Sequence, residues 1–200
     1  MRVIAGAAKG RPLKAVPGMN TRPTTDKVKE AIFSMIGPYF DGGFALDLFA
    51  GTGGLGIEAW SRGAEKVIFV DKEKISVDVV RGNVQTAGMA EHAEIYRNDA
   101  ERALKALSKR GIRFRFVFLD PPYRITTMDG LMEQLYGLGL LEEGATIVVE
   151  HDASHFYPER LPHFTRTRAA QYGDTAVSIY RHEAAGSQDS ADGGAEEHGE

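Results

Sequence analysis

Short apolar runs alternate with amphipathic stretches between residue 45 and about residue 151. The short runs are rich in β-branched and aromatic residues and predict β-strands at 45–49, 67–71, 93–97, 114–120 and 145–150. The amphipathic stretches predict helices at 54–62, 73–87, 99–109 and 128–137. Strands that alternate with helices are typical of a parallel sheet covered by helices. The pattern therefore predicts an α/β fold.

Two further strand-like runs follow at residues 164–172 and 176–180, on either side of Gly173-Asp174. That residue pair suits a tight turn, so an antiparallel hairpin is expected to finish the sheet. Together with the five earlier strands, the hairpin gives a predicted seven-stranded, mostly parallel sheet.

The chain ahead of this pattern has its own elements. Residues 2–6 and 12–16 predict a small basic hairpin around Lys9-Gly10. Residues 25–36 predict a helix, with Thr24 or Thr25 as its N-cap.

The composition of the 200 residues, 42% hydrophobic and 26% charged, predicts one globular domain. We expect that domain to span residues 1–183, as an N-terminal extension (1–40) and a core (41–183). Residues 184–200 contain no large apolar residue and are predicted to form a disordered acidic tail.

The net charge of −4 conceals an uneven distribution. Residues 1–40 contain seven basic and two acidic residues, whereas residues 183–200 contain six acidic residues and no Lys or Arg. The basic segment is able to contact phosphates, and a solvated charged face is the alternative interpretation.

Several classes of function are excluded by composition. The chain has no cysteine, which excludes disulfides and Cys-based metal sites, and its six histidines are scattered, so no metal is expected. No run approaches about 18 apolar residues, so we expect a cytoplasmic protein that does not span a membrane.

Glycines interrupt the chain directly after the first predicted strand. Gly51, Gly53 and Gly56 have the spacing G-x-G-x-x-G, which permits a tight turn into a helix with free amides. Asp71 ends the second predicted strand twenty positions after Gly51, where a carboxylate can accept hydrogen bonds from ribose hydroxyls. The pattern predicts a ribose-containing ligand.

A third motif, Asp120-Pro-Pro-Tyr123, follows the fourth predicted strand. With it, the chain resembles the class I S-adenosylmethionine-dependent methyltransferases, which have a Rossmann-like fold. The segment from Asp47 to Gly53 resembles the first motif of that family, Asp71 its ribose-binding acid and Asn98-Asp99-Ala100 its adenine-contacting turn. The resemblance implies that S-adenosylmethionine contacts Asp47, Phe49, Ala50, Gly51, Thr52, Gly53, Asp71, Lys72, Asn98, Asp99 and Ala100.

The N-terminal segment resembles a narrower family of enzymes. Ile4-Ala-Gly, Gly10-Arg11-x-Leu13 and Arg22-Pro-Thr-Thr through Phe33 resemble the bacterial 16S ribosomal RNA guanine-N2 methyltransferases that modify guanine 966. This resemblance covers residues 2–182 and implies a monomeric enzyme that acts on 16S rRNA or the small ribosomal subunit. The expected RNA-contacting residues are Lys9, Arg11, Lys14, Arg22 and Thr24.

The chemistry of an exocyclic guanine amine explains the Asp120-Pro-Pro-Tyr123 motif. Its lone pair is delocalised into the ring, so acceptors on the two amine hydrogens are needed to make the nitrogen nucleophilic. We expect the Asp120 carboxylate and the Pro121 carbonyl to accept them, while Pro121 and Pro122 stiffen the loop and Tyr123 stacks on the extruded base.

Two other functions fit parts of the sequence. The glycine spacing and Asp71 also satisfy the fingerprint of an NAD-dependent oxidoreductase, but no hydride-transfer acid is evident, and Asp47 suits a methionine amine better than a pyrophosphate. A catalytically inactive RNA-binding module is the other alternative, and the intact Asp120–Tyr123 motif argues against it. Individual residues also have structural interpretations: Asp71 and Asn98-Asp99 could cap helices.

Overall fold

The computed structural model describes residues 1–18 and 24–183. Its strands are β1 (Phe44–Asp47), β2 (Lys66–Asp71), β3 (Ala93–Arg97), β4 (Phe114–Leu119), β5 (Leu141–Asp152), β6 (Arg160–Leu161), β7 (Phe164–Tyr172) and β8 (Thr175–His182). Its α-helices are α1 (Asp26–Ile36), α2 (Gly54–Ser61), α3 (Lys74–Ala87), α4 (Ala100–Ser108) and α5 (Met128–Gly137).

All eight strands belong to one sheet, in the order β3-β2-β1-β4-β5-β8-β7-β6. The pairs among β3, β2, β1, β4 and β5 are parallel, and β8, β7 and β6 add antiparallel pairs. The α/β class, the parallel core and the closing hairpin are confirmed. The prediction of seven strands was wrong by one, because the two-residue strand β6 is too short to leave a pattern in the sequence.

Strands β1, β2 and β4 are buried on both faces, and this is why they appear as continuous apolar runs, whereas the edge strand β3 is partly exposed. Alternate residues of β1 and β2 enter two separate cores. The N-terminal segment, α1, α2 and α3 cover one core, and α4 and α5 cover the other. The sheet is therefore a rigid central layer between two helical layers.

Most element boundaries lie within two residues of their predicted positions. The largest differences are in β5, which is longer than predicted at both ends, and in β1, which ends at Asp47 because Leu48 already begins the turn. Thr25 is the N-cap of α1, since its hydroxyl accepts a hydrogen bond from the Val28 amide at 3.2 Å.

The predicted N-terminal hairpin is reduced to a single antiparallel bridge between Arg2 and Pro12. Side chains of α2 take the backbone donors that a longer ladder would need. The amides of Ile4 and Ala5 donate to Glu58, and the Ala8 amide donates to Ser61. The segment is therefore attached to α2 and is also paired with itself, through backbone hydrogen bonds from the Val3, Gly10 and Leu13 amides.

Glu58 is the anchor of this attachment, and its side chain is fully buried. Besides the two amides, its carboxylate lies 2.9 Å from Arg62 Nε and 3.5 Å from Lys29 Nζ. Burial lowers the pKa of Lys29. One carboxylate thus connects the N-terminal segment, α1 and α2.

No helix in the described part of the chain, residues 1–18 and 24–183, has the length and apolar composition needed to cross a membrane.

Candidate functional site

A cavity of about 1400 Å³ opens at the carboxyl ends of β1, β2 and β4. The strand order reverses direction at β1, because β2 lies on one side of it and β4 on the other. In open α/β sheets such a reversal leaves a crevice between the loops that follow the strands. The cavity is lined by these residues from the sequence-based predictions: Thr24, Phe49, Ala50, Gly51, Thr52, Asp71, Lys72, Asn98, Asp99, Ala100, Asp120, Pro121, Pro122 and Tyr123.

The glycine loop turns sharply between β1 and α2. Gly51 and Gly53 have φ values of 57° and 80°, in the left-handed region that favours glycine. A Cβ at Gly51 would meet no atom within 4 Å, so the backbone there faces open space. A Cβ at Gly56 would lie 2.5 Å from the Phe69 ring, so this glycine lets α2 pack closely on β2.

Asp71 holds the glycine loop in place. Its Oδ2 accepts a hydrogen bond from the Gly51 amide at 2.9 Å, and its Oδ1 accepts one from the Glu73 amide at 2.9 Å. Each carboxylate oxygen has a second lone pair, so the side chain is able to accept further hydrogen bonds from a ligand in the cavity.

Asp47 and Gly53 were expected to contact the cofactor, but neither lines the cavity. Asp47 is buried behind the loop, where its carboxylate accepts a hydrogen bond from the Gly56 amide at 3.0 Å. Burial raises the pKa of Asp47 to about 7. Gly53 instead serves as the N-cap of α2. Both residues therefore stabilise the turn between β1 and α2 without lining the cavity.

Asn98 and Asp99 lie at the start of α4, where one of them caps the helix. Asp99 is the N-cap of α4, since its Oδ1 accepts a hydrogen bond from the Arg102 amide at 2.9 Å. Asn98 Oδ1 accepts one from the Asp99 amide at 3.0 Å. Both residues also line the cavity, so capping leaves them available at its wall.

The Asp-Pro-Pro-Tyr motif begins one residue after β4. The Asp120 carboxylate lies beside the Thr24 hydroxyl, which is 3.2 Å from Asp120 Oδ2 and 2.7 Å from Glu150 Oε2. Glu150 belongs to β5 and is 3% exposed. Burial raises the pKa of both carboxyl groups, and the charges of Glu150 and Asp47 raise that of Asp120 further.

Tyr123 lies between two cavities. It lines the main one and also a second cavity of about 440 Å³, which Glu150, Thr175 and residues of α1 and β7 help to form. Its hydroxyl forms a short hydrogen bond with that of Thr175, the first residue of β8. The ring is therefore held by the closing hairpin.

Glu150, Thr175 and the turn of the hairpin were missed by the sequence analysis. Glu150 follows the apolar run Ile147-Val-Val, just as Asp71 follows Ile68-Phe-Val, so a carboxylate at a strand end was the available signal. No local signal places the hairpin turn, with Gly173 and Asp174, at the wall of the main cavity.

The predicted RNA-contacting residues are distributed unevenly. Lys9, Arg11 and Lys14 are exposed and do not line the cavity, while Arg22 lies outside the described residues. Ala15, Val16 and Gly18, which follow Lys14, do line it. The exposed basic residues are therefore close in sequence to residues of the cavity wall.

Asn83 of α3 fixes this stretch of chain. Its Oδ1 accepts a hydrogen bond from the Lys14 amide at 2.8 Å, and its Nδ2 donates to the Lys14 and Thr52 carbonyls at 3.0 and 2.8 Å. The side chain is 1% exposed. Asn83 thereby joins the N-terminal segment to the glycine loop.

Within residues 1–18 and 24–183, no group of three or more His, Cys, Asp or Glu side chains is arranged to hold a metal ion.

A protein-family model described as conserved hypothetical protein 95 matches residues 1–181. This chain belongs to that family. It is 55% identical over 181 residues to "Putative rRNA methyltransferase YlbH" of Bacillus subtilis (strain 168), covering 90% of this chain and 98% of the relative. It is 30% identical over 189 residues to "Ribosomal RNA small subunit methyltransferase D" of Escherichia coli (strain K12), covering 94% and 93% of the two chains.

A solved structure has a similar fold. It is an RNA methyltransferase from Salinibacter ruber in complex with S-adenosyl-L-homocysteine. The TM-score is 0.61 at 19% identity, and the match covers 81% of this chain and 94% of that chain. The architecture is the Rossmann-like fold of class I methyltransferases.

Proposed function

We propose that this protein transfers the methyl group of S-adenosylmethionine to the exocyclic N2 amine of a guanine in 16S ribosomal RNA. It is an S-adenosylmethionine-dependent rRNA methyltransferase, and the guanine is flipped into the Asp120–Tyr123 site. One observation carries the proposal: the glycine loop with Asp71 and the Asp-Pro-Pro-Tyr motif line the same cavity. The pairing of β1 with both β2 and β4 brings their loops to one edge of the sheet.

The residues at the β1 and β2 ends fit an adenosine ligand. The space above Gly51 admits a ligand close to the backbone, and Asp71 retains acceptor capacity for the ribose hydroxyls. Asn98 and Asp99 lie on the same cavity wall and suit the adenine end. S-adenosylmethionine supplies an electrophilic methyl group when bound.

The residues at the β4 end suit the amine. The Asp120 carboxylate and the Pro121 carbonyl accept its two hydrogens, which favours a pyramidal nitrogen with a localised lone pair. Neither Pro121 nor Pro122 has an N–H to compete for those acceptors. Tyr123 stacks on the base, a contact worth about 1–3 kcal/mol, with its ring held through Thr175.

Alignment of the reacting groups supplies the rest of the rate enhancement. Holding an amine and a methyl donor in line can contribute roughly 7–11 kcal/mol. This contribution needs no metal ion.

The N-terminal segment faces the RNA. Lys9, Arg11 and Lys14 are exposed and precede residues that line the cavity, and Thr24 lies beside Asp120. Arg22, outside the described residues, is proposed as a further RNA contact. Phosphate contacts from this segment position the RNA while the flipped base enters the site. We expect a cytoplasmic monomer that acts on 16S rRNA or on the small ribosomal subunit.

Mass mapping of rRNA nucleosides tests the proposal. Small-subunit rRNA from cells with and without the protein is compared, and naked 16S rRNA and assembled subunits are incubated with the purified protein and S-adenosylmethionine. One N2-methylguanine that depends on the protein is expected. Methylation of adenine, or binding of NAD in place of S-adenosylmethionine, would contradict the proposal.

A further inference from the structure

The Thr24 hydroxyl lies between two carboxyl groups of adjacent strands. The β4–β5 register pairs Leu119 with Val149, so Asp120 and Glu150 follow side by side on the same face of the sheet. Thr24 Oγ1 is 3.2 Å from Asp120 Oδ2 and 2.7 Å from Glu150 Oε2. Both separations are within hydrogen-bonding range.

Counting hydrogens favours a protonated carboxyl group in this arrangement. A hydroxyl has one hydrogen to donate, and an ionised carboxylate has none. One hydroxyl hydrogen shared between two carboxylates would leave both contacts weak. A proton on Asp120 or Glu150 supplies a second hydrogen, so that each contact is a full hydrogen bond and the pair carries one negative charge.

The surroundings favour that state over a doubly charged pair. Glu150 is deeply buried, and Asp47 of β1 adds a third carboxyl group near Asp120. Lys27 of α1, Tyr123 and Tyr172 of β7 line the second cavity beside Glu150. Within residues 1–18 and 24–183, no Lys or Arg forms an ion pair with either carboxyl group. Two buried like charges this close repel each other strongly, which favours retention of one proton on the pair.

We propose that Glu150 is a positioning residue for Asp120: the two carboxyl groups share one proton through the Thr24 hydroxyl, and that proton resides on Glu150. Neighbouring carboxyl charges raise the pKa of Asp120 as well, and this opposes an anion there. Glu150 is nevertheless the less exposed residue of the two, and burial penalises its charged form. Asp120 is partly exposed and lines the main cavity, where solvent stabilises its anion. Glu150 then donates to Thr24, Thr24 donates to Asp120, and Asp120 faces the cavity as an anion.

This arrangement rests on the proposed function and gives the transferred proton a destination. The amine nitrogen bonds to the methyl carbon as the carbon–sulfur bond breaks and its electron pair stays on sulfur. The methylated nitrogen is then cationic and loses one proton to Asp120. The pair now holds two protons and is neutral, and one proton leaves by way of Thr24 and Glu150 into the second cavity, which Glu150 lines.

Glu150→Gln is the central variant, because a glutamine amide can donate to Thr24 as a protonated glutamic acid does. We expect its single-turnover methylation rate to fall by about threefold, and that of Glu150→Leu, which has no donor, by about tenfold or more. Thr24→Val should resemble Glu150→Leu, and Thr24→Ser should recover most of the rate. Glu143→Gln, at an exposed position of the same strand, is the matched control and should not change it.

The shared proton is also measurable without any reaction. Infrared spectra of the free protein at neutral pH contain the C=O stretch of each protonated carboxyl group. We expect the wild-type minus Glu150→Gln difference spectrum to show one such band, and the wild-type minus Glu143→Gln spectrum to show none. Any contribution from Asp47 cancels in both differences.

Two results would overturn the inference. An unchanged protonated-carboxyl band in Glu150→Gln would mean that no proton is shared. A lost band together with faster methylation by Glu150→Gln would mean that the proton resides on Asp120 and inhibits it. If the wild-type protein methylated no RNA, the proposed function would fail, whereas the infrared spectra would still decide whether the proton is shared.

Discussion

The Gly51 amide donates a hydrogen bond to the Asp71 carboxylate at 2.9 Å, linking the glycine loop after β1 to the end of β2. The residue proposed to bind the ribose therefore also fixes the loop that faces the cofactor. Because Oδ1 bonds to the Glu73 amide, the carboxylate is held at both oxygens before any ligand arrives. Such a preorganised acceptor loses little conformational entropy on binding.

Replacing Asp71 with Ala should raise the dissociation constant of S-adenosylmethionine. Hydrogen bonds to a charged acceptor are worth about 1.5–3 kcal/mol each, so we expect a loss of roughly tenfold or more. Isothermal titration calorimetry measures it. Asp78→Ala, on the exposed surface of α3, serves as the control. Equal affinities for the two variants would move the ribose acceptor to another residue.

Replacing Asp120 with Ala should abolish methyl transfer while S-adenosylmethionine affinity stays within about threefold, because the carboxylate is proposed to contact the amine. Asp120→Asn keeps an acceptor and should retain partial activity. Single-turnover rates and calorimetric affinities of the same preparations separate the two effects. A parallel loss of rate and affinity would show that Asp120 belongs to the cofactor site instead.

The buried Asp47 predicts a stability that depends on pH. Its pKa is raised from 3.8 to about 7 by burial, so the folded state binds the proton more tightly than the unfolded state. The stabilisation from neutral Asp47 is complete below the unfolded pKa of 3.8 and is lost as pH rises to about 7. The free energy of unfolding is measured in urea across this pH range. With rising pH it should fall less for Asp47→Asn than for wild type. Parallel curves would refute the assignment.

Replacing Glu58 with Ala should destabilise the protein by about 3–5 kcal/mol, since Lys29 and Arg62 would remain buried without their anion. The amides of Ile4 and Ala5 would lose their acceptor as well. Urea unfolding measures the change, and Glu91→Ala at an exposed position is the control. A loss below about 1 kcal/mol would mean that the anchor is dispensable.

Reversing Lys9, Arg11 and Lys14 to Glu should weaken RNA binding and flatten its dependence on salt. Each lost phosphate contact removes nearly one released counterion from the slope. A matched triple reversal of Lys105, Lys109 and Arg113, exposed at the far end of α4, should leave the slope close to wild type. Filter binding over a salt series tests both variants. Identical slopes for the two would place the RNA on another surface.

Periodicity identified the helices and the parallel strands because their apolar residues are set by burial on two faces of one sheet. The lining residues after β1, β2 and β4 came instead from the glycine spacing and the motif resemblance, and the parallel strands bring them to a common edge. Lys29 and Glu58 could not be assigned in this way. Their burial depends on pairing between segments far apart in sequence, and each charge alone predicts an exposed position.

The position of Asp47 shows a second limit. The motif resemblance placed it against the cofactor, whereas in the structure its carboxylate points behind the loop to the Gly56 amide. Glu150 is the opposite case, a residue beside the site that the motif resemblance did not include. Nothing near it in sequence connects it with Asp120, and only the β4–β5 register brings the two together.

The shared hydrogen bonds of Asn83 have a thermodynamic consequence. One buried amide holds Lys14 of the basic segment and Thr52 of the glycine loop, so any shift of one backbone strains the bonds that hold the other. We expect binding at the proposed RNA surface and at the proposed cofactor site to be linked through this common side chain. Linkage of this kind is reciprocal: an RNA that steadies the segment tightens cofactor binding by the same factor that the cofactor tightens RNA binding.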